Sequence, residues 1–176
     1  MDLHGAPGSQ NGFDNSGRRG PQGWFKPDDH SNIDRTIVIL EKLTKMFEGW
    51  IAEGALLQET LFGIELLNEP MGWEDDLWAE CHDHFYPNGY AKIRETFDSS
   101  QTTVSIQQAF RASSDFYGYM DDKEAVLLDM HIYHAFGDYW NELAERPEGW
   151  STNLQVNIAS FFINGGDVIA PEIYLC

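Results

Sequence analysis

The chain has 176 residues, with 29 acidic and 11 basic side chains that give a formal net charge of −18. Nucleic acids and anionic membranes are bound through clustered Lys and Arg, so this balance argues against both as partners and favours a neutral substrate. The hydrophobic fraction of 42% excludes a disordered acidic tail, and the length suits one domain with a hydrophobic core.

Neither a targeting segment nor a disulfide framework is predicted. No apolar run approaches the roughly 18 residues of a transmembrane helix, and residues 1 to 4 lack the charged and apolar regions of a secretory signal peptide. The two cysteines, Cys81 and Cys176, are too few for a disulfide scaffold, and the sequence leaves open whether they pair.

The predicted elements begin with a possible strand that ends at His4, followed by a Gly- and Pro-rich loop over residues 5 to 31. Ser31 is the predicted N-cap of a helix that runs to Gly49, because apolar residues recur there every three or four positions. The apolar run over residues 61 to 67 is a predicted buried strand, which stops at Asn68-Glu69-Pro70.

The alternation of helix and strand continues along the rest of the chain. Residues 75 to 98 form two predicted helical stretches separated by Pro87-Asn88-Gly89. Strands are predicted over residues 102 to 106 and 125 to 131, with a short helical piece near residues 114 to 121 between them. Ser151 opens a predicted helix that Gly165-Gly166 ends, and residues 167 to 170 start a last strand.

Strands that alternate with helices predict an α/β fold with a parallel sheet. Four strands and a possible fifth are enough for a doubly wound sheet. A (β/α)8 TIM barrel takes about 250 residues, so a barrel interpretation makes residues 1 to 176 a single partial domain.

Polar, chemically capable side chains follow the predicted strands at their carboxyl ends, where α/β folds build their active sites. They are His4, Asn68 and Glu69, Gln107 and Gln108, His131 and Tyr133, and Glu172.

Two carboxylic acids are candidates for catalysis. Glu69 directly follows a buried strand, where partial desolvation suits it to donate a proton, and the adjacent Asn68 is placed to bind a substrate hydroxyl. Glycoside hydrolysis with retention needs a second carboxylate about 5 to 5.5 Å from the first. Glu172 is the candidate, because it too follows a predicted strand.

Aromatic side chains in loops suit a sugar site, because the apolar face of a pyranose packs on a ring. The candidates are Phe13, Trp24, Phe25, Trp73, Tyr133, Phe136 and Trp140. Phe13 is the strongest of them, since it lies in a polar loop where no core pattern claims it.

Metal-assisted hydrolysis is the rival chemistry. It is motivated by the run from Cys81 to His84 and by Asp129, His131 and Tyr133, which would share one face of a strand. Neither segment has the spacing of a known zinc motif, so no metal and no cofactor are expected.

Three motifs together resemble the exo-β-1,3-glucanases (glucan 1,3-β-glucosidases) of family five of the glycoside hydrolases. They are DLHGAPGSQNGFDNSG at residues 2 to 17, GIELLNEP at residues 63 to 70 and HIYHAF at residues 131 to 136. The first is similar to the loop after that family's third strand, the second to its fourth strand with the acid/base glutamate, and the third to its sixth strand. The resemblance implies a (β/α)8 barrel that hydrolyses β-1,3-glucan with retention, needs no cofactor and is usually extracellular.

The resemblance also implies roles for individual residues. Glu69 would be the acid/base, and Glu172 the nucleophile, although it stands in APEIY where the family has a Gly-Glu-Trp-Ser-like stretch. Four residues would line the subsite around the scissile bond: His4, Asn68, His131 and Tyr133. Asn15 would contact the sugar, and Phe13 with Phe136 would flank the entrance.

The matching motifs correspond to about strands three to seven of that barrel, without its first two strands and its last. We therefore expect a partial catalytic domain with little or no activity of its own, because an open sheet leaves edges and interior polar groups unpaired. The alternative is a non-catalytic β-glucan-binding remnant. The oligomeric state, exo or endo action and preferred glucan length stay open.

Overall fold

The structure is a computed structural model, and it describes residues 1–26, 28–132 and 157–162. Within these ranges the helices are α1 (Ser31–Ala52), α2 (Asp75–Ala79) and α3 (Tyr86–Arg94). A π-helical segment, Glu80–Phe85, joins α2 to α3, and short 3-10 turns lie at Asp14–Ser16, Gln58–Thr60 and Ser113–Phe116. The strands are β1 (Gly63–Glu65), β2 (Thr103–Gln107), β3 (Val126–Ile132) and β4 (Asn157–Phe162).

The strands form one sheet in the order β1-β2-β3-β4. The first three are parallel, with Gly63 opposite Thr103 and Val104 opposite Val126, whereas β4 runs antiparallel to β3. At the other edge, Asp2 forms an isolated parallel bridge with Glu65, so the possible strand predicted to end at His4 is a single bridge beside β1. The described residues therefore confirm an α/β fold with parallel strands and flanking helices.

The predicted helix from Ser151 to Gly165 is wrong where the structure describes it, because residues 157 to 162 form strand β4. The segment contains Ile158, Phe161 and Phe162, and a short apolar run of β-branched and aromatic residues is compatible with either period. The open edge of β3 decides the outcome by supplying backbone hydrogen bonds. The last predicted strand, over residues 167 to 170, lies outside the described residues.

The predicted break at Pro87-Asn88-Gly89 is also wrong, because all three residues belong to the first turn of α3. Helix α3 follows the π-helical segment Glu80–Phe85 without a break, and the wider hydrogen-bond spacing of that segment accommodates Pro87, which has no N–H. Gly89 allows α3 to pack closely on the sheet: a Cβ at this position would lie 3.0 Å from Leu66 Cδ1.

Two helix boundaries differ from the prediction. Helix α1 begins at Ser31 with His30 as its N-cap, so Ser31 is not the cap, and the Ser31 N–H donates to Asp29 Oδ1 at 3.0 Å. The helix also continues past Gly49 to Ala52. The helical piece predicted near residues 114 to 121 is only the 3-10 turn Ser113–Phe116.

The core lies between the sheet and helices α1 and α3. Its fully buried side chains include Ile33 and Leu40 from α1, Ile64 and Leu66 from the β1 region, and Ile93 from α3. In the described part of the chain, no helix combines the length and apolar character needed to cross a membrane.

Two tyrosines fasten α3 to the sheet, and they provide a matched test of a buried hydrogen bond. The Tyr86 hydroxyl donates to Gln107 O at 2.6 Å in a buried position, whereas the Tyr90 hydroxyl donates to Glu124 O at 3.1 Å in a partly buried one. We expect Tyr86→Phe to lower the free energy of unfolding by about 1–3 kcal/mol, because a buried carbonyl loses a donor. Tyr90→Phe should cost less, and an equal loss in urea unfolding would contradict the assignment.

Candidate active site

The loop over residues 5 to 25 is fastened to the turn that follows β1. The side-chain amide of Gln10 donates to the backbone oxygens of Asn68 and His4, at 2.9 and 3.1 Å. Asn11 Nδ2 donates to the backbone oxygen of Glu69 at 3.0 Å. Gln10 and Asn11 are both buried. The loop and the Asn68-Glu69 turn therefore form one hydrogen-bonded unit.

The loop holds its own shape through small residues. Ser9 Oγ bonds to Ser16 Oγ at 2.6 Å and accepts from the Gly12 N–H at 2.8 Å. Gly12 has a φ of 75°, and a Cβ there would lie 2.3 Å from Gly20 O, so only glycine fits. This conformation brings Asn15 to the Glu69 carboxyl group.

Glu69 lies at the centre of the site. Its backbone is left-handed, with a φ of 44°, and the residue is 3% exposed. Asn15 Nδ2 donates to Glu69 Oε2 at 2.8 Å, and His131 Nδ1 lies 2.7 Å from Glu69 Oε1. The structure thus brings together three residues that the sequence predicts for the site, although 62 positions separate Glu69 from His131.

His131 lies between two carboxylates. Its Nε2 is 3.1 Å from Asp129 Oδ2, while its Nδ1 faces Glu69. The hydrogen bond to Asp129 and then the one to Glu69 raise the pKa of His131 to about 10, against the opposing effect of burial. His131 is therefore a cation at neutral pH.

Asn68 and His4 extend the site along the sheet edge. Asn68 is buried, and its Nδ2 lies 3.5 Å from His4 Nε2, at the outer limit of a hydrogen bond. The other ring nitrogen of His4 contacts Asp2 Oδ2 at 2.6 Å, and 56% of the His4 side chain is exposed. His4 is thus placed beside Glu69's turn, at the border with solvent.

Three aromatic rings form a cluster next to this site. Phe13 lies 6.1 Å from both Trp73 and Phe110, and Trp73 lies 5.1 Å from Phe110, measured between ring centroids. Trp73 is 55% exposed, so the cluster has an open face. We call Phe13, Trp73 and Phe110 the aromatic wall.

The other aromatic and acidic candidates either pack in or against the core or lie outside the described residues. Trp24 is only 1% exposed, and its Nε1 donates to Thr36 Oγ1, so it is a core residue and not part of a sugar site. Phe25 packs against the core as well. Four candidates lie outside the described residues: Tyr133, Phe136, Trp140 and Glu172.

Gln107 and Gln108 stay close to the backbone at the end of β2. Gln107 Oε1 accepts from the Ala109 N–H at 2.5 Å, and Gln108 Nε2 points to Arg111 O at 3.4 Å. The same turn carries Phe110 in a left-handed conformation with a φ of 59°, which the sequence analysis did not single out. The polar pair Gln107-Gln108 after β2 is the sequence signal for this turn, and it could have pointed to Phe110.

The residues that motivated a metal site do not gather into one. Among the residues that the structure describes, no group of three or more His, Cys, Asp and Glu side chains is arranged to hold a metal ion. Cys81 is a free, buried thiol, and the His82 ring stacks on Tyr119 at 3.9 Å. Asp129 and His131 do share one face of β3, as alternation predicts.

The chain is similar to glucan 1,3-beta-glucosidases. It is 38% identical to that of Blumeria graminis over 150 residues, which cover 84% of this chain and 31% of the relative. Against the enzyme of Pichia angusta the identity is 36% over 143 residues, covering 78% and 30%. Against the probable glucan 1,3-beta-glucosidase A of Emericella nidulans it is 37% over 139 residues, covering 77% and 30%.

The chain spans about a third of the length of the curated relatives it matches. No protein-family model matches it. The resemblance to glucan 1,3-beta-glucosidases is confirmed as a similarity of sequence, and the placement in family five stays a prediction.

One further acid lies behind the site. Glu65, on β1, has a pKa raised to about 8, first by burial and then by the negative charges of Asp129 and Asp2, while His131 acts in the opposite direction. No local sequence pattern marks Glu65, because it occupies a single position inside an apolar run.

The raised pKa of Glu65 predicts a pH-dependent stability. Unfolded, Glu65 titrates near its ordinary value of 4.5, so between pH 4.5 and about 8 the folded chain binds the extra proton and loses stability as the pH rises. We expect Glu65→Gln to remove this loss. Its advantage over the wild type should grow by up to ~1.4 kcal/mol per pH unit between pH 5 and 6.5, below the range in which His131 contributes.

Chemical denaturation at several pH values measures the difference. A constant offset between the two proteins from pH 5 to 6.5 would mean that Glu65 is ionised in the folded chain.

Proposed function

We propose that this chain is part of a glycoside hydrolase that cleaves β-1,3-glucan with retention, and that Glu69 is its acid/base. One observation carries the proposal: Glu69 is 3% exposed at the carboxyl edge of a parallel sheet and is held by Asn15 and His131. The similarity to glucan 1,3-beta-glucosidases supports the same substrate.

For the fold we propose a partial (β/α)8 barrel of family five, corresponding to about strands three to seven. Strands β1, β2 and β3 are parallel neighbours in chain order, with the segment at Asp2 beside β1, which supports this arrangement. The antiparallel β4 is the feature that departs from it. An extracellular location is the corresponding proposal for where the enzyme acts.

In the first proposed step, Glu172 attacks the anomeric carbon while Glu69 gives its proton to the glycosidic oxygen, so that the sugar–oxygen bond breaks and a glycosyl ester forms. Asn15 and His131 both donate to the Glu69 carboxylate, and they stabilise the negative charge that appears when its proton leaves. In the second step Glu69 takes a proton from water, whose oxygen displaces Glu172. Neither step needs a cofactor.

The proposed substrate contacts follow the positions around Glu69. Asn68 and His4 offer polar groups for sugar hydroxyls, and the exposed Trp73 ring of the aromatic wall offers an apolar face. Tyr133 and Phe136 belong to the proposal through the resemblance alone.

Substitution of the acid/base tests the proposal. We expect Glu69→Gln to lower the rate of glucose release from laminaritetraose by about 10²–10⁴-fold, because glutamine preserves the hydrogen-bonding shape but carries no proton to give. An activated aryl β-glucoside, whose leaving group needs little protonation, should lose less in the glycosylation step. Glu53→Gln, on an exposed residue after α1, is the control and should leave the rate unchanged.

Proton NMR of the first product decides between retention and inversion. Retention releases β-glucose before mutarotation; an initial α-anomer would contradict the two-step mechanism. Full activity in Glu69→Gln would remove Glu69 from the acid/base role.

The aromatic wall favours a second candidate, a β-glucan-binding module without catalysis. We expect Trp73→Ala to weaken binding of laminaritetraose about tenfold, because an aromatic contact contributes about 0.5–1.5 kcal/mol beyond its buried area and 1.4 kcal/mol is a factor of ten. Tyr117→Ala, at an exposed ring outside the wall, should have no effect. Calorimetry measures both variants, and binding by a wild type that releases no glucose would select this candidate.

A further inference from the structure

The strongest unassigned feature is the acid behind His131. Alternation along β3 puts Asp129 and His131 on one face, and the two side chains are 9% and 13% exposed. Asp129 Oδ2 lies 3.1 Å from His131 Nε2, and His131 Nδ1 lies 2.7 Å from Glu69 Oε1. One imidazole therefore joins Asp129 to the proposed acid/base.

A neutral imidazole carries a single N–H, so it donates to one neighbour and presents a lone pair to the other. With a carboxylate at each nitrogen, only the doubly protonated ring donates to both. This conclusion does not depend on which way the ring is turned, because both nitrogens face an acceptor. Removing either carboxylate would remove the need for the second proton.

We propose that Asp129 is a positioning residue, which keeps both ring nitrogens of His131 protonated so that His131 donates to Glu69 as an imidazolium. This inference rests on the proposed acid/base role of Glu69. The new element is that Asp129, through its contact with His131, controls the charge beside the Glu69 carboxyl group.

Glu65 completes the arrangement from β1. Asp129 is buried and Glu65 is partly buried, and their carboxyl groups share a side-chain hydrogen bond, which requires a proton on one of them. A proton kept on Glu65 donates this hydrogen bond and reduces the repulsion between the two carboxyl groups. The charged and titratable groups that surround Glu65 are Asp2, Asp129, His131 and Tyr86.

The consequence for Glu69 follows from charge. An imidazolium beside a carboxyl group favours the ionised form over the acid, whereas a neutral imidazole does so far less. Because the acid form starts the reaction, the basic limb of the pH–rate profile should lie at lower pH with Asp129 in place than without it.

Histidine-selected ¹⁵N NMR of the 176-residue chain tests the charge directly, with His131 assigned from a His131→Gln variant. In the wild type both ring nitrogens of His131 should have imidazolium shifts at pH 8. In Asp129→Asn, whose amide donates to Nε2 and preserves the shape, the midpoint of the His131 titration should fall by about 2 pH units or more.

Asp83→Asn is the matched control, because Asp83 contacts His82 at 2.6 Å in the same carboxylate–imidazole geometry at an exposed site. It should leave both the His131 titration and the rate of hydrolysis unchanged.

The pH dependence of kcat/KM for laminaritetraose tests the positioning role. We expect the basic limb to move up by about 1 pH unit in Asp129→Asn and to stay in place in Glu65→Gln below pH 8, since glutamine replaces a neutral acid. A lower His131 midpoint without a shift of the limb would overturn the proposal, because a purely structural Asp129 behaves in that way.

Neutral His131 in the wild type at pH 8, or an unchanged midpoint in Asp129→Asn, would also overturn the proposal. The wild-type spectrum decides this even if Asp129→Asn does not fold. Equal rates of laminaritetraose hydrolysis in the wild type and in Glu69→Gln, with His131 an imidazolium, would instead count against the acid/base role of Glu69, so the two failures are distinguishable.

Discussion

The site depends on the hydrogen bonds between the loop after His4 and the turn after β1. Gln10 and Asn11 satisfy the backbone oxygens of Asn68 and Glu69, which would otherwise be buried acceptors without donors. An unsatisfied buried carbonyl costs about 1–3 kcal/mol, so the loop and the turn stabilise each other. The same contacts fix where Asn15 reaches the Glu69 carboxylate. The conformation of the loop and the position of Glu69 therefore depend on the same hydrogen bonds.

Charge is the second constraint on this region. Asp2, Glu65, Glu69 and Asp129 contribute four carboxyl groups to a small volume, and His131 is the cation that touches two of them. Bringing carboxylates together is unfavourable unless a cation or a shared proton reduces their repulsion. His131 supplies the first remedy, and the raised pKa of Glu65 supplies the second. The acidic residues of this chain therefore lie in the candidate site as well as on the surface.

The sequence predicted the parts that depend on local pattern. An acid directly after an apolar run predicts Glu69 at the carboxyl edge of the sheet, and alternation predicts that Asp129 and His131 share a face. Parallel strands then bring His131 to Glu69 without further information. Asn15 entered the prediction through the resemblance, which implies a contact with the sugar, whereas the structure shows its hydrogen bond to Glu69.

The missed features depend on tertiary contacts. Trp24 stands in a loop, and its burial follows from the position of Phe85 and Thr36, which no local pattern contains. Segment 157 to 162 becomes a strand because β3 offers an open edge, and Pro87 stays inside a helical region because a π-helical segment precedes it. Glu65 is a single acid in an apolar run, and Phe110 is a single ring in a polar turn. Neither forms a sequence motif, so their positions beside the site are seen only in the folded chain.

The left-handed backbone at Glu69 bears on whether its carboxyl group is used. A side chain with a Cβ is disfavoured in that region by roughly 1–2 kcal/mol, whereas glycine tolerates it and asparagine is enriched there. Backbone strain taken alone therefore favours either of them over glutamate at this position. Under the proposal that Glu69 is the acid/base, this strain is the energetic cost of placing its carboxyl group at the edge of the sheet.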